Sequence, residues 1–173
     1  SSNTGEPCFQ ALTLGKYGFF EPAKENIEFV ASFQLNNGSW EDDKQWGKYM
    51  WASSGWKSRC IQHYYLRTKD RAFLEENFER MLASARWSKA QRDKTKRKNP
   101  PDSPEWGLMP RGMGDGGLKN GDDLFGVFYP HNFMHCMGLE AAVWAAKELQ
   151  REDVYQELLD TYLDHKECIL KSL

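Results

Sequence analysis

Apolar side chains recur along this chain every three to four residues, in blocks separated by clusters of Gly, Pro, Asn and Asp. This is the spacing of amphipathic helices rather than strands. After Pro22, a residue suited to a first helical turn, Ile27, Val30, Ala31 and Phe33 fall on one helical face. The Asn- and Gly-rich stretch beginning at Asn36 breaks that helix. Residues 48–67 predict a second helix, poor in charge and carrying Ala52, Ser53, Ser54 and Gly55. Asp70 is placed to cap a third, in which Leu74, Phe78, Met81, Leu82 and Ala85 form one stripe. That helix ends in a basic run over 92–98, stopped by Pro100 and Pro101. The run reads as a solvated helix end whose cations suit the negative pole of the helix dipole. A loop of roughly thirty residues follows to Pro130, long for a compact domain. Residues 131–150 are apolar on most sides, the mark of a buried helix. Glu152 or Asp153 opens the last helix, with Leu158, Leu159, Tyr162 and Leu163 as its apolar stripe. Residues 1–21 read as irregular, apart from a short helical piece near 10–14.

The second and third helices resemble the fourth and fifth. Gly55 matches Gly138, Leu66 matches Leu149 and Asp70 matches Asp153 at one spacing, and Leu74/Leu158 and Phe78/Tyr162 follow one residue later. In each unit a mostly buried helix passes through a tight link into a one-sided helix, and short links imply antiparallel neighbours. The expected fold is all-α, antiparallel hairpins in two layers. Alternating helices place both long loops on one face and both tight links on the other. Long ordered loops in a compact domain are commonly functional.

Composition narrows the function classes. The 173 residues suit one domain with a real core. A formal charge of −2 gives no long-range attraction for nucleic acid or an anionic membrane, so neither is an expected partner. No stretch has the ~20 apolar residues of a membrane span. Cys8, Cys60, Cys136 and Cys168 are widely spaced in apolar surroundings and read as buried free thiols, which leans towards the cytoplasm. The chain starts at Ser1, so secretion after removal of a leader is the other expectation. The seven Trp exceed what a core of this size needs and suggest stacking surfaces.

Both long loops set acids beside tryptophans. One holds Glu41, Asp42 and Asp43 between Trp40 and Trp46; the other holds Glu105 and Asp115 around Trp106. Indole faces stack on sugar rings, and carboxyl groups supply the proton transfers of glycosidic cleavage. Asp115 stands in the stretch GLMPRGMGDGG, whose glycines let a backbone turn sharply and approach a ligand closely.

The segment GLMPRGMGDGGLKNGDDLFGVFYPHNFMHCMGLEAAVWAAKEL resembles the corresponding stretch of six-hairpin glycosidases, the (α/α)6-toroid enzymes. The segment IQHYYLRTKDRAFLEENFERMLASARW is similar to their recurring hairpin, and the resemblance covers residues 25–173. It implies a glycoside hydrolase, with one partial toroid domain over 1–173 and the remaining helices supplied by the same parent chain. Carbohydrate is the expected partner, and no cofactor is implied. The catalytic candidates are Asp115, Glu41 and Glu105. Trp40, Trp46, Trp106, Arg111, Tyr129, His131 and Asn132 are candidates for holding substrate.

Two other classes remain open. Several toroid polysaccharide lyases use Asn, His and Tyr on a uronate, which Tyr129, His131 and Asn132 would supply, with Arg111 pairing the carboxylate. The low basic charge of the loops weighs against this. A non-catalytic domain that binds carbohydrate or protein through its aromatic rim is the third class. His131 and His135 have the spacing of a helical zinc pair but no third ligand in view, so no metal is expected.

Overall fold

The computed structural model describes residues 5–40, 52–113 and 125–173. The chain is all-α, with six helices and one short strand pair among the described residues. The helices are α1 (Gly5–Lys16), α2 (Phe20–Ala31), α3 (Ala52–Thr68), α4 (Arg71–Lys98), α5 (Tyr129–Glu148) and α6 (Glu152–Ser172). Strands β1 (Gly112–Met113) and β2 (Phe125–Gly126) pair antiparallel, with Gly112 opposite Gly126.

Most predicted elements form close to their expected limits. Asp70 caps α4 by accepting the Phe73 N–H, and the stripe of Leu74, Phe78, Met81, Leu82 and Ala85 is buried. All four cysteines are free thiols; Cys136 is half-buried and the other three are buried. Three expectations change. Residues 5–16 form a full helix, α1, because Cys8 and Ala11 bury against α2 and α3, and such packing overrides weak local propensity. Phe33 lies past the end of α2 and is largely exposed. In α6 the buried face is Val154, Leu158, Thr161, His165, Cys168 and Ile169, while Leu163 is half exposed. The stripe is rotated because polar contacts from α4 and α5 bring Thr161 and His165 inside.

Side-chain pairs give the helix directions. Along α3 and α5, Gly55 meets Met134, Arg59 meets Glu140 and Tyr65 meets Glu148, so these helices are parallel. Along α4 and α6, Glu79 meets Arg151, Arg86 meets Glu157 and Arg92 meets Asp164, again in parallel. Helix α1 runs parallel to α3 through Phe9–Trp56 and Gly15–Arg67; α2 runs parallel to α4 through Lys24–Asp70 and Ala31–Arg80. The described residues thus form three antiparallel hairpins side by side, with first helices in one layer and second helices in the other.

Each hairpin turns through one residue with positive φ: Gly18 (84°), Lys69 (59°) and Gln150 (57°). A single left-handed residue after a helix reverses the chain in minimal length. The three links therefore sit at one pole, and the C-terminal ends of α2 and α4 and the starts of α3 and α5 lie at the other.

The two layers are spaced differently. Helices α3 and α5 approach until their backbones touch. A Cβ on Gly55 would lie 2.0 Å from the Met134 carbonyl oxygen, and one on Gly138 would lie 2.8 Å from the Gly55 Cα. The second helices α4 and α6 are instead bridged by long side chains such as Arg86–Glu157 and Arg151–Glu79. At this junction the close approach of α3 and α5 against the wider spacing of α4 and α6 turns the third hairpin towards the side of the first helices.

Candidate functional site

At the loop pole, α4 reaches past the start of α5, and the segment 99–111 folds back along it. Its anchor is a buried polar cluster. Arg92, fully buried, donates from Nε to the Gly107 carbonyl (2.6 Å) and from Nη2 to Asp164 (2.7 Å). Lys96 holds the other Asp164 oxygen, and the Thr95 hydroxyl lies 2.8 Å from the Leu108 carbonyl. Burial works against ionisation of Asp164, but Lys96 and Arg92 outweigh it and hold its carboxyl below the usual range. Gly107 has a positive φ of 72°, and a Cβ there would strike Cys168 Sγ, so only glycine fits this crossing. The basic run over 92–98 is therefore not simply a solvated helix end. Arg92 and Thr95 are interior, Lys96 is half-buried, and Lys94, Arg97 and Lys98 stay in water.

Asn132 completes the anchor from α5. Its Oδ1 accepts the Met109 N–H at 2.8 Å and lies 3.1 Å from His165 Nε2, while its Nδ2 donates to the Phe128 carbonyl. A backbone N–H can only donate, so the atom facing Met109 is the amide oxygen. His165 Nε2 must therefore carry the proton, and burial holds the ring's pKa well down, with Arg92, His135 and Lys96 adding to the effect. Asn132 is 0% exposed and cannot touch a substrate, which corrects its placement among the binding candidates.

The other candidates divide. Tyr129 is half-buried, donates its hydroxyl to the Ser172 carbonyl and stacks on Phe133, so it ties α5 to the end of α6. His131 is buried beside Phe128, and burial lowers its pKa to about 4. Its Nδ1 has no hydrogen-bond partner among the described residues. Trp40 is 1% exposed and packs in the main core, with its backbone N–H donating to Ser54 Oγ and its backbone carbonyl accepting from Lys57 Nζ. It has no open face for a sugar, which corrects that expectation. Trp106 is half-buried under Lys96, whose Nζ lies 4.5 Å from its ring centroid, and it packs against Leu108, Cys168 and Ile169. Glu41, Trp46 and Asp115 lie outside the described residues, as do Asp42 and Asp43.

Glu105 and Arg111 do come together. Their side chains pair at 3.2 Å on the wall of a cleft of about 390 Å³. The rest of the wall includes Lys94, Lys98 and Asn99 from the end of α4, with Pro110 and Phe125. The β1–β2 pair stands beside this cleft and brackets 114–124, the residues that carry Asp115. Lys94, Lys98 and Phe125 escaped the sequence reading. The lysines looked like ordinary surface charge, and nothing local marks which turn of a long helix a distant loop will cover. The chain matches no known protein family, no curated protein and no solved structure.

Proposed function

We propose that this chain is part of a curved hairpin ring, an (α/α)6-type toroid, that hydrolyses glycosidic bonds at its loop pole. The observation that carries the reading is the cleft of about 390 Å³ at that pole, walled by Glu105 and Arg111 and adjoining the strands that bracket Asp115. The turn of the third hairpin towards the side of the first helices supports the ring. So does the apolar groove on the outer side of α5 and α6, lined by Phe133, Cys136, Met137, Tyr162 and Leu170. A further hairpin stacked as α5–α6 is on α3–α4 would cover it. In this reading Asp115 transfers the proton, a second carboxylate comes from Glu105 or Glu41, and Arg111 orients Glu105 and meets the substrate. Replacing Asp115 by Asn should cut turnover of a cleavable oligosaccharide by ~10²–10⁴-fold, the range for losing a general acid or base, while binding persists. Reducing ends released from a panel of oligosaccharides measure this; undiminished release by D115N would sink the assignment.

The cations on the cleft wall favour one other reading, a lyase acting on a uronate. It needs a base other than Tyr129 or Asn132, since both are engaged in holding the fold. An unsaturated product absorbing in the ultraviolet would identify it.

A further inference from the structure

Cys8 in α1 and Cys60 in α3 meet across the junction of the first two hairpins. Both are 2% exposed, and they line one small internal void with Ile27, Val30 and Ile61. The Cys60 thiol donates to the Cys8 carbonyl oxygen at 3.5 Å, and the two side chains are themselves in hydrogen-bond contact. The helices are shaped to come this close. Cys8, Ala11 and Gly15 put small groups on the face of α1 that meets α3, and Arg67 Cδ lies 3.9 Å from where a Cβ on Gly15 would stand. Beside the pair, Phe9 and Trp56 pack edge to face with ring centroids 4.9 Å apart, which fixes the register of the two helices. The other two cysteines lie elsewhere: Cys168 sits against Gly107, and Cys136 lines the outer groove of α5 and α6.

In an apolar core a thiol packs as a small hydrophobe, a task that other small residues share. Two thiols placed side by side add the capacity to bond to each other. We infer that Cys8 and Cys60 form a disulfide that latches α1 to α3 when the chain folds in an oxidising compartment, and that they stay thiols in a reducing one. The oxidant is a small-molecule disulfide such as oxidised glutathione. One cysteine thiolate attacks a glutathione sulfur, giving a mixed disulfide and releasing one reduced glutathione. The second cysteine thiolate then displaces the other. Two electrons and two protons pass from the cysteines to glutathione, and one S–S bond replaces another. The exchange belongs to folding rather than to the finished fold. The Cys8 side chain and burial together push the Cys60 thiol well up, so little thiolate exists once α1 has closed on α3. The bond closes a loop between residues 52 positions apart and stabilises the fold by restricting the unfolded chain. Neither cysteine lines the loop-pole cleft, so the latch is independent of the sugar reading.

Refolding the whole chain from urea, in mixed oxidised and reduced glutathione or in dithiothreitol, tests the latch. Alkylation of the remaining thiols and peptide mass mapping then count and locate the bond. The expected result is two thiols fewer in the glutathione sample, with Cys8 and Cys60 in one cross-linked peptide and Cys136 and Cys168 alkylated. The oxidised form should unfold in urea at a midpoint roughly 1 M above that of the reduced form. Cys8→Ser or Cys60→Ser should erase this difference, and Cys136→Ser should keep it. Where a serine variant does not fold, the map and midpoints of the unaltered chain decide alone. Four alkylated thiols in both samples overturn the inference. So does a chain that carries glutathione alone, or one whose bond uses Cys136 or Cys168. A Cys8–Cys60 bond that leaves the midpoint unchanged or lowers it overturns the latch as well.

Discussion

Asn132 satisfies three partners with one amide: the Met109 N–H, the His165 ring and the Phe128 carbonyl. Each partner lies in a different stretch of the chain, so one side chain joins the loop before β1 to α5 and α6. Replacement by Ala strands the buried Met109 N–H and His165 N–H together. Each unsatisfied buried group costs ~1–3 kcal/mol, so Asn132→Ala should lower unfolding free energy by about 2–4 kcal/mol in urea denaturation. A loss under half a kilocalorie would show that water replaces the amide. The sequence marks this residue as polar and close to a helix start, which fits a substrate contact as well as an anchor. Only burial separates the two roles. Trp40 teaches the same lesson: an indole beside acids and glycines reads as a sugar platform until the core is seen to close over it.

The elements themselves were largely legible, because apolar spacing, Asp70 as a cap and the breakers between helices are local signals. The likeness of Gly55 to Gly138 was also visible, and its cause is now plain, since these glycines let α3 and α5 touch backbone to backbone. Less visible were the links. Lys69 and Gln150 hold left-handed backbone angles that favour Gly, the residue type at the third link, Gly18. An L-residue there costs ~1–2 kcal/mol, partly offset because Gly loses more entropy on folding. Gln150→Gly should therefore raise stability by about 0.5–1 kcal/mol, read as a higher urea midpoint with unchanged slope. A lowered midpoint would mean that packing of the Gln150 side chain outweighs the backbone strain. Helix α1 went unread for the opposite reason: its local pattern is weak, and α2 and α3 supply the surface that orders it.

For the molecule as a whole, the buried histidines set how stability depends on pH. His131 and His165 are held neutral by burial, so their folded pKa values lie below the ordinary value of 6.5. The unfolded chain then takes up protons that the folded chain refuses. Their contribution is complete above about pH 6.5 and declines as pH falls towards 4, each unit of depression being worth about 1.4 kcal/mol. The paired carboxylates Asp153, Glu157 and Asp164 act in a lower window, below their ordinary 3.8–4.5. Between pH 7.5 and 5 the unfolding free energy should fall by at least ~1 kcal/mol, and His131→Gln should flatten that slope. A flat profile over this interval would contradict neutral burial of the rings. Helix type, the Asp70 cap, hairpin alternation and the tight links between paired helices followed from the sequence alone, because each rests on neighbours within a turn or two. Tertiary structure decided which polar residues became anchors, which tryptophans lost their faces, and which lysines came to line a cleft. Those outcomes depend on contacts between α4, α5, α6 and the loop over 99–111, whose partners are remote along the chain and leave no periodic trace in it.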